Sequence, residues 1–170
     1  MDTYDRFYEQ ALEVCDAWEG YSRQSNACYD KLEKCVYCHG DYQYHNIIKT
    51  GKDWFLVNLE KCVPHNGIRD LYLLMRKLLE KSNWSVPLGR ELLDAYSSQR
   101  KISAFAFIDL YYRLSYPEKF WKIANFYYNT GKAWIPDRNS EKLDKLVKQE
   151  TDKQKFLDEV FRNVEGLRQR

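Results

Sequence analysis

An aspartate and an asparagine five positions apart have the types and spacing to carry out chemistry together. Residues 39–46 read His-Gly-Asp-Tyr-Gln-Tyr-His-Asn, so Asp41 and Asn46 form the pattern HGDxxxxN. On one loop, such a carboxylate accepts the proton of an attacking hydroxyl, and such an amide oxygen binds Mg²⁺ at the phosphates of a nucleotide. The pattern therefore indicates a phosphoryl-transfer loop with Asp41 as the catalytic base and Asn46 as a metal ligand.

The order of the elements after this loop resembles that of the aminoglycoside phosphotransferase and choline kinase-like branch of the protein-kinase superfamily. A hairpin with Gly51 at its turn leads to Asn-Leu-Glu at residues 58–60, and Asp70 opens the next helix. The segments CHGDYQYHNII, NLEKC and IRDLYLLMRKLLEKSNW more specifically resemble the CotS-type spore coat proteins of endospore-forming bacteria. This resemblance covers about residues 30–100.

The resemblance implies a fold and a role for each loop residue. The expected fold is α+β and mostly α, the C-terminal helical lobe of a protein-kinase-like fold in which a small β-hairpin carries the catalytic and metal-site loops. Asp41 takes the position of the base, and Asn46 and Asn58 take the metal positions. Asp70 is expected to accept hydrogen bonds from the backbone of the loop, inside which His39 packs. Mg²⁺ and ATP are implied as cofactors by the resemblance alone.

Residue 58 departs from the family pattern, because an active kinase carries a metal-binding aspartate there. The neutral Asn58 side chain binds Mg²⁺ more weakly than a carboxylate would. Glu60 would face the same side of a strand and supply a substitute carboxylate if the backbone stays extended. Two functions therefore stay open. One is phosphoryl transfer from ATP to a hydroxyl of a small molecule or coat component, and the other is a catalytically impaired kinase-like scaffold in spore coat assembly.

A second departure lies ahead of the loop, where nothing resembles a glycine-rich phosphate loop. Gly20 is the sole glycine before residue 39, whereas a loop that cradles phosphates needs several glycines. We therefore expect that the N-terminal nucleotide-clamping lobe is absent and that this chain alone is inactive. The expected partners are that missing lobe, other spore coat proteins, or a second copy bound through an exposed apolar face. The substrate-binding residues are unknown at this point.

The cysteines suggest competing sites. Cys35, Cys38 and His39 match the CxxCH pattern of haem attachment, but that attachment takes place outside the cytosol and His39 already belongs to the loop motif. Zinc ligation by these cysteines with Cys62 is disfavoured, because a strand directs residues three apart to opposite faces. We expect no haem, no zinc and free thiols for the five cysteines.

Hydrophobic periodicity divides a single domain, residues 1–170, into three regions. Residues 3–34 read as two helices separated at Gly20, and residues 35–66 read as the β and catalytic-loop region. Residues 67–170 read as a helical bundle that begins with a broad apolar stripe. Further helices are predicted at 87–99, 102–115, 117–129 and 139–167, the last with its charged residues on a solvated face.

Aromatic residues are frequent, with 14 Tyr, 8 Phe and 5 Trp. Many fall between residues 105 and 128, where large rings are expected to pack the helices together. The resemblance adds an alternative, in which some of these rings line a groove for a planar or sugar substrate.

Composition and charge limit the partners and the compartment. The chain has 170 residues, of which 44% are hydrophobic and 31% charged, as in one globular domain. A formal net charge of +2 gives no electrostatic reason to expect nucleic acid or an anionic membrane. Charges occupy the N-terminus where a secretory signal would be apolar. We expect cytoplasmic synthesis and deposition in the spore coat, with no membrane contact and no secretion through a signal peptide.

Overall fold

The computed structural model describes residues 3–32, 35–129, 137–164 and 166, and within 24–32 it describes the backbone alone. A long helix precedes two small antiparallel sheets, and a helical bundle follows them. The predicted helix ends at residues 34 and 167 lie outside the described residues. The elements are α1 (Thr3–Leu32), β1 (Val36–Cys38), β2 (Ile47–Thr50), β3 (Asp53–Leu56), β4 (Val63–His65), α2 (Ile68–Lys81), α3 (Val86–Gln99), α4 (Ala104–Ser115), α5 (Glu118–Asn129) and α6 (Asp137–Val160).

Helix α1 runs through Gly20 without a break, so the prediction of two helices is wrong. A single glycine inside a helix costs about 1 kcal/mol relative to alanine, and ending the helix there would also leave backbone groups without helical partners. Among the described residues, no atom outside the adjoining backbone of α1 and the two chain neighbours lies within 4 Å of the place that a Cβ of Gly20 would occupy. The helix is held at its first turns, where buried Phe7 stacks on Phe120 of α5.

The β region consists of two separate two-stranded sheets. β1 pairs with β4, with Val36 opposite His65. β2 pairs with β3, with Thr50 opposite Asp53, and Gly51 closes this hairpin with a φ of 62°. Glycine adopts this left-handed conformation without a steric penalty, so the hairpin predicted at this glycine is confirmed. The segment 39–46 joins the two sheets, and the segment between β3 and β4 returns beside it.

The predicted apolar stripe of α2 faces the core of the bundle. Leu71, Met75 and Leu79 are buried at spacings of four residues, which places them on one helix face. Ahead of the helix, Asn66 Oδ1 accepts a hydrogen bond from the backbone N–H of Ile68 at 3.0 Å. This contact satisfies one of the donors that a helix start leaves open.

Local signals fix the starts of the next helices. Ser85 Oγ accepts from the N–H of Leu88 at the start of α3, and Ser103 Oγ accepts from the N–H of Ala106 at the start of α4. Pro117 directly precedes α5. The three helices predicted in this region are confirmed to within two residues at each end. Among the helices that the structure describes, none combines the length and apolarity needed to cross a membrane.

Helix α6 packs on the core more closely than its charged sequence suggested. Phe156 is fully buried, and a Cβ added at Gly89 would lie 2.2 Å from its ring. Lys153 is buried rather than solvated, because its Nζ donates to the carbonyl oxygen of Ser115 at 2.7 Å. The prediction of a solvated charge is therefore wrong for this lysine, whose ammonium group also lies over the ring of Trp84.

The aromatic residues of α4 and α5 divide between the core and the surface. Phe105, Tyr112 and Phe120 are buried, as expected for helix packing. Trp121 and Tyr128 are exposed. Helix packing therefore explains the first group, whereas Tyr128 of the second group contacts the ring of Tyr4 on α1 and stays largely exposed.

Candidate functional site

The side chain of Asp70 holds the turn at Gly40. Asp70 Oδ2 accepts the N–H of His39 at 2.6 Å, and its Oδ1 accepts the N–H of Gly40 at 3.0 Å. Gly40 has a φ of +77°, and a Cβ there would lie 2.2 Å from the carbonyl oxygen of Lys61. Only glycine fits this turn, because both the conformation and the space exclude a side chain. The start of α2 thereby fixes the backbone that leads into Asp41.

His39 lies inside the loop and binds backbone groups with both ring nitrogens. The residue is 4% exposed. Its Nε2 donates to the carbonyl oxygen of Val57 at 2.8 Å, and its Nδ1 accepts the N–H of Asp41 at 3.2 Å. The ring thus ties the chain beyond β3 to the loop, and neither nitrogen is left for proton transfer.

Two side chains bind the carboxylate of Asp41, which is 25% exposed. Gln43 Nε2 donates to Oδ1, and Lys61 Nζ donates to Oδ2 at 3.0 Å. The hydrogen bond from Lys61 lowers the pKa of Asp41 below its ordinary value, against the effect of burial, and the bond from Gln43 adds to it. The carboxylate therefore has the charge that a base needs, while both of its oxygens already have donors.

The two amides at the expected metal positions bind each other. Asn46 is 1% exposed, and its Nδ2 donates to the carbonyl oxygen of Asp41 at 2.8 Å. Its Oδ1 accepts a hydrogen bond from Asn58 Nδ2 at 2.9 Å. Asn58 has φ 63° and ψ 59°, a left-handed conformation that asparagine tolerates better than most residues. The oxygen that would bind Mg²⁺ is therefore satisfied by an N–H donor.

Glu60 does not have the geometry that a substitute ligand requires. The expectation depended on an extended strand, but β3 ends at Leu56, Asn58 is left-handed, and Leu59–Lys61 form a 3-10 turn. This path destroys the alternation that would place Glu60 on the same side as Asn58. Glu60 is exposed, and its carboxylate forms no hydrogen bond or ion pair within the described chain. The predicted placement of Glu60 is therefore wrong.

The donors and charges of this loop do not fit a Mg²⁺ ion. Mg²⁺ prefers carboxylate, phosphate and water oxygens in octahedral geometry. Here Asn58 presents an N–H, and the Lys61 ammonium group lies beside Asp41. Over the residues whose positions are described, no group of three or more His, Cys, Asp or Glu side chains could hold a metal. Cys38, at the end of β1, is buried, whereas Cys35, which directly precedes β1, is exposed.

Sequence reasoning missed Gln43 and Lys61, the two donors to Asp41. Gln43 falls among the unspecified positions of HGDxxxxN, so the motif attaches no meaning to it. Lys61 lies 20 positions after Asp41, and the 3-10 turn alone decides where its side chain points. The only sequence signal was a basic residue directly after Glu60.

Two comparisons with known proteins concern spore coat proteins. The model of a family described as "Spore coat putative kinase YutH" matches residues 21–160 of this chain. Spore coat protein S of Bacillus subtilis (strain 168) is 25% identical over 145 residues, which are 82% of this chain and 41% of that protein. This chain therefore spans about two fifths of the length of that relative. These matches confirm the CotS-type resemblance.

A third comparison concerns the fold. The crystal structure of an aminoglycoside phosphotransferase from Alicyclobacillus acidocaldarius subsp. acidocaldarius DSM 446 matches with a TM-score of 0.71 and 19% identity. The match covers 98% of this chain and 59% of that chain. At this identity the likeness concerns the fold alone, and it confirms the α+β, mostly helical, kinase-like fold.

Proposed function

Because this chain belongs to the family of spore coat putative kinases of the YutH type, we propose that it is a kinase-like spore coat component whose catalytic loop serves as a structural scaffold. The hydrogen bond of 2.9 Å from Asn58 Nδ2 to Asn46 Oδ1 carries this proposal. It satisfies, with a protein donor, the amide oxygen that a kinase loop uses for Mg²⁺. The loop keeps the shape of a transferase loop without depending on a metal.

The charge distribution supports the same function. Lys61 Nζ lies 3.0 Å from Asp41 Oδ2 and supplies one positive charge where a kinase uses a divalent ion. A divalent cation that approaches Asp41 meets this like charge, and the neutral amide of Asn58 offers no compensating negative charge. The loop therefore does not depend on a divalent ion, because both carboxylate oxygens of Asp41 and the amide oxygen of Asn46 already have protein donors.

Thermal unfolding with and without Mg²⁺ or Mn²⁺ tests the proposal. We expect the wild-type Tm to be indifferent to either ion. Asn58→Asp replaces the donor with a carboxylate, so added metal should raise the Tm of this variant by about 3 °C at a concentration tenfold above the dissociation constant. Asn163→Asp, at an exposed residue beyond α6, makes the same charge change and should show no metal effect.

The proposal fails if Mg²⁺ stabilises the wild type as much as it stabilises Asn58→Asp. If metal changes the Tm of neither protein, the scaffold role stands, but Asn58 is not what prevents the loop from binding metal. In that case the Lys61→Met variant tests whether the charge of the lysine, rather than the contact between the two amides, prevents metal binding.

A second candidate function is phosphoryl transfer from ATP to a hydroxyl of a small molecule or coat component. It is favoured by the ionised carboxylate of Asp41. The backbone that leads into Asp41 is held in place by the N–H groups of His39 and Gly40, which donate to the Asp70 carboxylate. In this function the hydrogen bond between Lys61 and Asp41 first breaks. The freed carboxylate of Asp41 then accepts the proton of the attacking hydroxyl. ATP-dependent phosphate transfer to sugars or coat extract, lost in Asp41→Asn, would favour the enzyme. Equal background rates in both proteins would favour the scaffold.

A coat scaffold needs protein contacts, and exposed apolar side chains support self-association. Tyr37 is 81% exposed, Trp54 65% and Phe55 53%. Such large rings at a surface favour protein contacts because their removal from water is favourable. Sedimentation velocity should show a dimer or larger species that the double variant Trp54→Ser/Phe55→Ser reverts to monomer. A wild-type monomer at all concentrations would contradict self-association.

A further inference from the structure

A groove of about 530 Å³ lies between helices α1, α2 and α4. Four aromatic residues form much of its wall, namely Trp18, Tyr72, Tyr112 and Tyr116, and Arg69 lies among them. Pockets for small ligands measure about 300–1,000 Å³ and combine apolar walls with a few polar groups. The groove has this size and character.

Arg69 provides a charge in this groove, and no described side chain acts as its counter-ion. Within the described residues its guanidinium forms no hydrogen bond and no ion pair. The nearby acid Asp109 is already neutralised, because its Oδ1 accepts from Trp18 Nε1 at 3.0 Å and its Oδ2 accepts from Arg113 Nε at 2.9 Å. Asp109 is 2% exposed and therefore fixes the Trp18 ring at the rim of the groove.

The second acid of the groove, Glu118, is also neutralised. Its Oε2 lies 3.0 Å from Arg76 Nε, and Lys122 and the Tyr72 hydroxyl bind it as well. Burial alone would raise the pKa of Glu118, but Arg76, Lys122 and Tyr72 together lower it. With both acids paired, Arg69 contributes the one positive charge that stays uncompensated among the described residues lining the groove.

We propose that this groove binds a small free carboxylic acid with a flat apolar body. The planar guanidinium of Arg69 matches a carboxylate with two parallel hydrogen bonds. The rings of Trp18, Tyr112 and Tyr116 supply apolar faces and edges against which a flat body packs. A neutral molecule of the same shape has no carboxylate to pair with the guanidinium. The groove should therefore bind the acid more tightly than the neutral molecule.

Alkylation of Cys15 tests the proposal, because this exposed thiol lines the groove. The probe is 1-naphthoate, and 1-naphthalenemethanol is its neutral match. We expect 1-naphthoate at saturation to slow the reaction of Cys15 with iodoacetamide about tenfold, whereas the alcohol at the same concentration has little effect. Peptide mass spectrometry follows Cys15 together with the exposed thiols Cys35 and Cys62, which lie outside the groove and should react at an unchanged rate.

Variants assign the effect to the guanidinium. Arg69→Gln should raise the concentration of 1-naphthoate needed for half-protection by about tenfold or more, and Arg69→Lys should retain part of the affinity. Arg162→Gln, at an exposed residue beyond α6, is the matched control and should behave as the wild type.

The proposal would be overturned by no protection of Cys15 by the acid, by equal protection by the alcohol, or by unchanged half-protection in Arg69→Gln. Equal slowing of all three thiols would also overturn it, since that result means nonspecific association. If Arg69→Gln does not fold, the comparison of acid with alcohol on the wild type decides alone.

Discussion

Asp70 binds His39 across 31 positions of sequence, through a hydrogen bond of 2.6 Å from the His39 N–H to Asp70 Oδ2. Its second oxygen accepts the N–H of Gly40 at 3.0 Å. A carboxylate is a stronger acceptor than a neutral group, so one side chain at the start of α2 sets the path of the loop. The positions of Asp41 and Asn46 both depend on this contact.

Removing the carboxylate should loosen the loop and destabilise the protein. Asp70→Ala leaves two backbone N–H groups without their acceptor, at a cost of about 3 kcal/mol in the free energy of unfolding. Asp70→Asn keeps one acceptor and should cost about half as much. Urea denaturation measures both, with Asp94→Ala on the exposed face of α3 as the control that should change little. A loss in Asp70→Ala no larger than in the control would show that the loop is held elsewhere.

Gly40 and Gly51 both have a positive φ, at 77° and 62°, but only Gly40 is crowded. Gly51→Ala should cost about 1–2 kcal/mol, the strain of a left-handed alanine. Gly40→Ala should cost about 3 kcal/mol or more, because the new Cβ also meets the Lys61 carbonyl oxygen. Chemical denaturation measures the loss in the free energy of unfolding for both variants, and the difference between the two losses is the cost of the clash at Gly40. Equal losses would mean that the backbone at Gly40 moves aside at little cost.

Removing Lys61 should raise the pKa of Asp41, because the hydrogen bond from Lys61 is the largest cause of its lowering. The folded pKa lies below the unfolded one, so Asp41 contributes stability at pH values above its unfolded pKa and loses it as pH falls through the folded pKa. In Lys61→Met this contribution shrinks. The ¹³C chemical shift of the Asp41 carboxyl group should titrate at higher pH in Lys61→Met. Lys52→Met in the hairpin should leave it unchanged.

Lys153 should make the protein more stable at alkaline pH. Burial lowers its pKa to about 8, against the pull of Glu150 and Glu80. Between this pH and the unfolded pKa near 10.4 the unfolded chain binds more protons, so stability rises with pH by up to about 3 kcal/mol. The window closes at about pH 10, where tyrosines of the unfolded chain begin to ionise.

Urea denaturation at pH 7.5 and pH 9.5 measures this rise. Lys153→Met fits the same space without a titrating group, so most of the rise should disappear. Lys155→Met, whose side chain is 70% exposed, is the control and should keep it. A rise of the same size in all three proteins would assign the effect to other groups.

The sequence by itself determined the order of helices α2 to α5 and the identity of the loop. The helices α2 to α5 follow from apolar spacing, capping serines and prolines, which act over a few residues and are therefore readable locally. The pairing of Asp70 with the loop was expected because the family resemblance supplied a contact that spacing alone does not encode.

Only the tertiary structure decided what surrounds the loop. Whether Asn58 faces a metal or donates to Asn46 depends on one left-handed residue and the 3-10 turn after it, which no periodic pattern announces. Lys61 donates to Asp41, which lies 20 positions away in the sequence. Lys153 donates to the carbonyl oxygen of Ser115, which lies 38 positions away. Hydrogen bonds and ion pairs act over a few ångströms, so residues distant in sequence acquire them only when packing brings their elements together.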